Sequence, residues 1–411
     1  MNVRFSRRLA WGAQENQMAH AEAKRRDSGL ACLDLTLSNP TQAELPYPAA
    51  AIAQAFADPA AALYQPSPSG LLHARAAVAA DYARRGAAVD PNHILLTASS
   101  SESYALLFKL LGNPGQAVLV PEPSYPLFEY LARLEGLVPR PYRLAFDGRW
   151  HIDFQSLDFT DAAAVVVVSP NNPTGSYLGA EDCDRLAALA AEHGLAIIAD
   201  EVFADFPIAP ATDAVVALAG RPGPALTFSL GGLSKASGLP QMKLGWIAAS
   251  GPREQVGPAL ANLELVADTY LSVGTPVQLA LPRLLELGAG IRQAIHQRIL
   301  RNRQALANQI GPDSPCTLLP AEAGWSAILR VPEIMSDEDW ALRLLCDDGV
   351  LVQPGYFFDL HMGATLVLSL LTPPETFDRG VDCVLAAAGI GSGSFTTEDT
   401  EDTEDTETDE K

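Results

Sequence analysis

The sequence has few basic residues and no apolar run long enough to cross a membrane. Its 411 residues include 28 Lys and Arg against 49 Asp and Glu, a formal net charge of -21. A protein that binds mainly nucleic acid needs clustered cations to displace phosphate counterions, so this balance disfavours that class of function. The most apolar stretch, residues 162–168, is much shorter than the ~20 residues of a membrane-spanning helix. We therefore expect no nucleic-acid partner and no membrane span.

Cysteine and histidine are also sparse. The five cysteines are spread along the chain without a CxxC pair, and the seven histidines show no H-E-x-x-H or comparable spacing. This pattern favours reduced thiols and no metal site. The first 20 residues carry arginines but no apolar core region, so no secretory signal is predicted and we expect a cytoplasmic protein. A G-x-S-x-G motif is absent too, which disfavours a serine hydrolase.

What the chain does contain is an alternation of short apolar runs with helical segments, from about residue 46 to residue 250. This alternation is typical of βαβ units and of a mostly parallel sheet, so the predicted fold class is α/β. Glycines 112, 136 and 194 follow the helical segments, at the position where helices commonly end. The predicted strands are residues 93–97, 117–120, 164–169, 196–200, 226–230 and 243–248, and the predicted helices are residues 102–111, 126–135 and 181–193.

The remainder of the chain predicts a smaller domain and a tail. A helical segment at 291–308 and β-rich stretches at 325–331 and 349–370 indicate an α+β unit. We expect a large domain at residues 46–276. We expect the small domain to combine residues 277–391 with residues 1–45, which include an N-terminal arm. Residues 392–411 repeat Glu, Asp and Thr and predict a disordered acidic tail, while the glycine-rich run at 389–393 predicts a flexible linker.

Serines follow the first predicted strand, in the sequence TASSSE at residues 97–102. The free amides and partial positive charge of a helix N-terminus make a phosphate site, to which serine hydroxyls add donors. The alternative is that these serines only cap the helix.

Three further motifs follow later strands, at the edge where ligands bind to parallel sheets. They are NNPTG at 171–175, ADE at 199–201 and SKASGLPQMKLGW at 234–246. Together with the serines they bring an amine, a carboxylate, an amide and a phosphate site to one sheet edge. Pyridoxal phosphate requires this set of groups.

On these motifs the sequence resembles the class I/II aminotransferases, pyridoxal-phosphate-dependent enzymes of fold type I that are similar to aspartate aminotransferase. The resemblance runs from about residue 35 to residue 370. It implies a large domain with a mostly parallel central sheet, a smaller α+β domain, and pyridoxal 5'-phosphate as the cofactor.

The resemblance also implies roles for single residues. Lys235 is similar to the lysine that binds the cofactor and shuttles the substrate proton, and Asp200 to the aspartate that keeps the ring nitrogen protonated; both would be catalytic. Asn172 is similar to the asparagine that donates to the ring oxygen, with a cis bond to Pro173. Tyr125 resembles the aromatic residue that stacks on the ring.

The phosphate of the cofactor would have its own set of contacts. Ser100, Ser101 and Lys243 resemble the residues that hold it in the same subunit. Tyr64 resembles a tyrosine that reaches the phosphate of the neighbouring subunit, which implies a homodimer with shared active sites.

The chain also departs from the family pattern. Lys243, Gly232 and Phe203 stand where relatives have arginine, serine and tyrosine. Val367 stands where relatives place the arginine that binds the substrate carboxylate. Either another cation replaces that arginine or neutral donors hold the substrate; we expect a substitute cation, with Arg330 as the candidate, because a buried unpaired carboxylate is costly.

The predicted function is therefore a pyridoxal-phosphate-dependent aminotransferase that moves an amino group between an amino acid and an oxo acid. The alternative is a pyridoxal-phosphate-dependent lyase of the carbon–sulfur β-lyase type, because such enzymes resemble the same motifs. A cofactor-binding regulatory module fused to a DNA-binding domain is disfavoured by the acidic charge.

Overall fold

The computed structural model describes residues 3, 5–9 and 16–390. The predicted acidic tail, residues 392–411, lies outside the described residues, as does most of the glycine-rich run at 389–393. Gly389 and Ile390, the described part of that run, do not form a linker: they end the helix Pro374–Ile390. Ala387 and Ala388 are buried, so the packing of an apolar face extends the helix into the glycine-rich run.

Fourteen strands and eleven α-helices are present in the described residues, with short 3-10 turns between them. The strands are β1 (Leu33–Asp34), β2 (Ile94–Thr97), β3 (Ala117–Glu122), β4 (Val138–Phe146), β5 (Trp150–Ile152), β6 (Ala162–Val168), β7 (Ala196–Asp200), β8 (Thr227–Gly232), β9 (Gly245–Ser250), β10 (Thr317–Leu318), β11 (Ser326–Arg330), β12 (Val350–Leu351), β13 (Gln353–Pro354) and β14 (Thr365–Ser369). The helices are α1 (Gln17–Asp27), α2 (Ala49–Gln54), α3 (Leu72–Arg84), α4 (Ser100–Leu111), α5 (Leu127–Leu134), α6 (Ala180–Glu192), α7 (Leu233–Ala236), α8 (Arg253–Asp268), α9 (Thr275–Gln309), α10 (Asp337–Arg343) and α11 (Pro374–Ile390).

Eight strands form the central sheet, in the order β2-β9-β8-β7-β6-β3-β4-β5. The pairs that join β4, β3, β6, β7 and β8 are parallel, whereas the pairs at the two ends of the sheet are antiparallel. The expected α/β class with a mostly parallel sheet is confirmed by this topology.

The central sheet is buried on both faces because its inner strands are apolar on both. In β6, Val166 packs into the apolar cluster that contains α4, while Val165 and Val167 pack into the cluster on the opposite face. In β7, Ile198 points to the α4 side. Alternation along the strand therefore turns the next residue but one, Asp200, toward α4 as well.

The smaller unit has its own antiparallel sheet, in the order β10-β11-β14-β13, and a short parallel pair, β1-β12. Leu33 in β1 is paired with Val350 in β12, so the N-terminal segment is joined to the C-terminal part of the chain. This is the expected smaller α+β domain.

Helix α9 is longer than the sequence pattern predicts. It has 35 residues and begins at Thr275, not at residue 291. Pro276 occupies the first turn, where its missing N–H is tolerated, and Leu281 and Leu284 are fully buried. The predicted domain boundary at 276/277 thus falls in the first turn of one continuous helix. No helix among the described residues, this long one included, combines the length and apolar content of a membrane span.

Strand β9 begins two residues later than predicted, at Gly245. Lys243 lies before the strand, at the end of the 3-10 turn Pro240–Met242, with a φ of 48°. A residue in this left-handed conformation cannot continue the extended backbone of a strand. Lys243 is therefore a turn residue, and its side chain is exposed.

Candidate active site

A cavity of about 280 Å³ lies at the carboxyl ends of the parallel strands, between the central sheet and the small sheet. Five of the predicted site residues line it: Ser100, Tyr125, Asn172, Asp200 and Lys235. These residues come from five separate segments of the chain, and the parallel topology is what brings the ends of those segments together.

Lys235 belongs to α7, a single helical turn directly after β8. Its amine is largely surrounded by protein, and this burial lowers its pKa to about 8, although the nearby Asp200 carboxylate opposes the shift. The Nζ atom lies 4.6 Å from the centre of the Trp325 ring and 5.5 Å from that of Phe203. The amine is therefore held against two aromatic rings.

Asp200 is buried at the end of β7, on the side of α4. Its carboxylate accepts hydrogen bonds from the Tyr104 hydroxyl at 3.0 Å and the Val202 backbone N–H at 3.1 Å. Burial raises the pKa of Asp200, and the two hydrogen bonds and the Lys235 charge act in the opposite direction. A cation placed beside this carboxylate would stabilise its ionised form.

The serines before α4 divide between capping and the cavity. Ser99 is the N-cap, because its side chain accepts from the Glu102 backbone N–H at 3.2 Å, and the Glu102 carboxylate accepts in return from the Ala98 N–H. The capping role therefore belongs to Ser99 alone. Ser100 lines the cavity, whereas Ser101, in the same turn, is half-buried and does not line it.

The two adjacent asparagines also have different roles. Asn171 is buried in the turn, where its side-chain amide donates to the Pro123 carbonyl at 3.3 Å. Asn172 lines the cavity, and its side-chain oxygen accepts from the Ser326 hydroxyl at 3.0 Å. Its amide N–H groups make no hydrogen bond with a described residue, so they remain available to a ligand. The predicted cis bond between Asn172 and Pro173 is confirmed.

Like Ser101, two further predicted phosphate contacts do not line this cavity. Lys243 is exposed and does not line it. Tyr64 is 77% exposed and lines a separate cavity of about 120 Å³, together with Tyr270 and Ser272. Tyr125, by contrast, is at the cavity mouth, 45% exposed.

Val367 occupies the position of the family's arginine, and Arg330 is the substitute expected from the sequence. Val367 lines the cavity and is 2% exposed, so the position is part of the site. Arg330 lies on the same strand pair, opposite Thr365, and does not line the cavity. Among the described residues, Lys235 is the one cation of the cavity wall. The expected substitute cation is therefore not found there.

Several residues of the site were not predicted from the sequence: Tyr104, Trp325, Ser326 and Gln353. Tyr104 had a detectable signal, because it is four residues after Ser100 and thus shares its helix face. The others lie on or beside strands of the small domain, and no local motif marks them.

A surface group of possible metal ligands lies apart from this cavity. Glu122, Asp359 and His361 bring one ligand atom each within 4.8 Å of one another, and His361 Nε2 is 3.2 Å from Glu122 Oε1. Asp359 and His361 are exposed, so this group is a cluster of polar side chains at the surface.

Comparison with known proteins places these residues in a wider group. The family model described as aminotransferase class I and II matches residues 31–382. Human tyrosine aminotransferase is 31% identical over 323 residues, which cover 76% of this chain and 70% of that protein. An S-alkyl-thiohydroximate lyase from Arabidopsis thaliana is 28% identical over 306 residues, 70% of this chain.

The chain spans 55 to 66% of the length of that lyase and of three aminotransferases from Arabidopsis thaliana, barley (Hordeum vulgare) and rice (Oryza sativa subsp. japonica). The solved structure of an alanine aminotransferase from Pyrococcus furiosus superimposes with a TM-score of 0.81 at 20% identity, covering 94% of this chain and 100% of that one. This likeness establishes a shared fold.

Proposed function

The chain belongs to the class I and II aminotransferase family, and we propose that it is a pyridoxal-phosphate-dependent aminotransferase that moves an amino group between an amino acid and an oxo acid. The observation that carries the proposal is the Lys235 amine, with its pKa lowered to about 8, in one cavity with the buried Asp200 carboxylate. An amine of this pKa is partly unprotonated near neutral pH, and the unprotonated form is the one that attacks an aldehyde.

The donor set of the cavity fits pyridoxal phosphate. Lys235 would hold the aldehyde carbon, Asp200 the ring nitrogen, and the free amide of Asn172 the ring oxygen. The N-terminus of α4, with the hydroxyl of Ser100, would hold the phosphate, because it offers amides and a partial positive charge. Tyr125 at the cavity mouth would cover the ring.

When bound, pyridoxal phosphate supplies an electron-withdrawing ring that stabilises negative charge on the substrate carbon bearing the amine. Asp200 would keep the ring nitrogen protonated, because a buried carboxylate gains a cation partner in this way. Lys235 lines the same cavity, and burial lowers the pKa of its amine to about 8 in the cofactor-free protein. An amine at this place would take the proton from the substrate carbon and return it.

We infer that the active unit is a homodimer. Support comes from the exposed apolar side chains near the second cavity, which include Leu63, Tyr64 and Tyr270. Exposed aromatic residues grouped in this way are typical of an interface between subunits. Tyr64 would then reach the phosphate in the neighbouring subunit, and Ser101 would add a hydroxyl to it within the same subunit; the contact of Lys243 stays a prediction.

A cytoplasmic location is part of the proposal. It is supported by the five cysteines, all of which are free thiols. Free thiols persist in a reducing compartment.

The experiment that tests the proposal follows a heavy-nitrogen label. The cofactor-loaded protein is mixed with a labelled amino donor and an unlabelled oxo acid. Label in the newly formed amine supports an aminotransferase. Label released as free ammonium, together with an oxo acid made from a β-substituted donor, would show a lyase instead. Lys235→Ala, which removes the reacting amine, is the control and should give neither product.

A further inference from the structure

The wall of the cavity offers no cation to a substrate carboxylate. Lys235 is the one cation among the described lining residues, and Asp200 is the one acid. The Lys235 amine is engaged by the reaction itself. A carboxylate on the reacting carbon would therefore enter a largely buried site without a guanidinium or ammonium partner, which is unfavourable.

Three hydroxyl groups of the wall, those of Thr36, Ser326 and Ser369, already donate their protons within the protein. The Thr36 hydroxyl donates to the Asp34 carboxylate at 2.7 Å, and the Ser326 hydroxyl donates to Asn172 at 3.0 Å. The Ser369 hydroxyl donates to the backbone carbonyl of Leu37. Each hydroxyl has a single proton, so these three present only oxygen lone pairs to the cavity. Lone pairs repel a carboxylate and accept from a group that carries its own hydrogen.

Gln353 brings free donors to the position beside Val367. It lines the cavity from β13 and is paired directly with Val367 of β14. Its side-chain amide makes no hydrogen bond with a described residue, so it has two N–H donors and one acceptor free. An uncharged amide therefore stands beside the valine that occupies the position of the family's arginine.

Part of the cavity wall is aromatic. Tyr125, Phe128, Phe357 and Phe358 line it. Such a wall favours a substrate with a large apolar or aromatic arm over a second charged arm.

We propose that this site selects amines whose reacting carbon carries an uncharged polar group, such as a carboxamide or a hydroxymethyl group, in place of a carboxylate. Gln353 is the residue that recognises this group, with the hydroxyl oxygens as its acceptors. The inference rests on the amino-group transfer of the proposed function, and it replaces the amino acid and oxo acid named there by compounds without a carboxylate on the reacting carbon. In each transfer the donor carbon becomes a carbonyl and the acceptor carbonyl becomes an amine, and the same preference applies to both compounds.

The test uses matched compounds that differ in one group. Hydrocinnamate, hydrocinnamamide and hydrocinnamyl alcohol share an aromatic arm and lack the amine, so they bind without reacting. Their dissociation constants for the cofactor-loaded protein are measured by calorimetry. We expect the amide and the alcohol to bind at least about fivefold more tightly than the acid. Equal or tighter binding of the acid would overturn the proposal.

Variants assign the preference to Gln353. Gln353→Leu keeps the approximate size of the side chain but removes its hydrogen bonds. It should weaken the binding of hydrocinnamamide about two- to tenfold, as expected for the loss of one or two neutral hydrogen bonds. Gln353→Arg should tighten the binding of hydrocinnamate about tenfold or more, because a charged donor replaces a neutral one. Leu351→Met, in the neighbouring strand β12 and outside the cavity wall, is the control and should change neither value. If both Gln353 variants bind the three compounds in the same order of affinity as the parent protein, the role of this residue is contradicted.

A single-turnover experiment separates this inference from the proposed function. L-phenylalanine, L-phenylalaninamide and L-phenylalaninol are each offered to the loaded protein with labelled nitrogen. If none of them loses its nitrogen to the protein, the proposed function fails. If phenylalanine reacts fastest and hydrocinnamate binds best, the function stands and the inference about the substrate fails.

Discussion

Lys235 shows how one buried position sets the chemistry of a common side chain. Burial lowers its pKa to about 8, while Asp200 stabilises the ammonium form and limits the decrease. In the cofactor-free protein, the labelling of Lys235 by an amine-reactive reagent should therefore have a midpoint near pH 8. Asp200→Asn removes the stabilising charge and should move the midpoint lower. Peptide mass spectrometry across a pH series measures both midpoints.

The exposed Lys243 is the internal control for that experiment. Its labelling profile should be the same in the parent protein and in the Asp200→Asn variant. A Lys235 midpoint that stays in place, or that rises, in the variant would contradict the proximity of the two groups.

Single residues also show what the sequence can and cannot indicate. Lys235, Asp200 and Asn172 are identified by local motifs, because each follows a strand of the parallel sheet. Asn171 and Asn172 cannot be assigned separately from the sequence, since only the fold of the turn decides which side chain faces the cavity. Gln353 has no local signal at all, because its place in the site depends on the docking of the small sheet against the large one.

At the scale of elements, the N-terminus of α4 holds one capping serine, Ser99, and two serines that we propose as phosphate contacts. Ser99→Ala removes the cap and should lower the free energy of unfolding of the cofactor-free protein by about 1 kcal/mol. Ser101→Ala leaves the cap in place and should change it by less than about 0.5 kcal/mol. Urea denaturation of the two variants measures this difference.

The Ser101→Ala variant also tests the proposed contact between Ser101 and the phosphate of the cofactor. Ser101→Ala should weaken the binding of pyridoxal phosphate by about tenfold, because a hydrogen bond to a charged acceptor is lost. The binding of pyridoxal, which has no phosphate, should be unchanged. If Ser101→Ala binds both compounds as the parent protein does, Ser101 is not a phosphate donor.

The contact between α9 and the segment that carries Lys235 gives a second prediction at this scale. A Cβ atom at Gly288 would lie 2.4 Å from Cβ of Ser237, whereas at Gly290 it would meet nothing within 4 Å. Gly288→Ala should therefore destabilise the protein by about 1 to 3 kcal/mol, because the buried Ser237 must shift. Gly290→Ala, the matched control, should stabilise it by up to about 1 kcal/mol.

Denaturant unfolding measures the two variants, and cofactor titration follows the consequence for the site. Gly288→Ala should also bind pyridoxal phosphate more weakly, since Ser237 is two residues from Lys235. Equal stability of the two variants would mean that α9 can move away at little cost.

Helix α9 also illustrates a limit of sequence patterns. The charged segment from residue 291 predicts a helix, but Pro276, Pro282 and the glycines before it argue against its extension. The helix forms from Thr275 because Leu281 and Leu284 are buried in the tertiary structure, and this packing outweighs weak local propensity. The inner strands β6 and β7 are easier to predict, because they are apolar on both faces and end at polar residues.

At the scale of the whole molecule, the proposed dimer makes the two active sites depend on both subunits. We expect neither Lys235→Ala nor a Tyr64→Ala variant to have full activity alone. When the two variants are unfolded and refolded together, half of the mixed dimers' sites combine the intact Lys235 of one subunit with the intact Tyr64 of the other. Activity should then recover to a measurable fraction of that of the parent protein.

Native mass spectrometry of the mixture shows whether mixed dimers have formed, because the two variants differ in mass. Recovery would not occur if Tyr64 served its own subunit, because every site with Lys235 would then lack Tyr64. Mixed dimers without recovery would therefore place Tyr64 in its own subunit's site or outside the sites altogether.

The attachment point of the cofactor tests the central claim, that this fold uses Lys235 to hold pyridoxal phosphate. The loaded protein is treated with borohydride, which makes the bond between lysine and cofactor permanent, and is then digested and mapped by mass spectrometry. We predict one modified peptide, with the cofactor on Lys235, and none in Lys235→Ala. A label on the exposed Lys243, or no label at all, would contradict the claim.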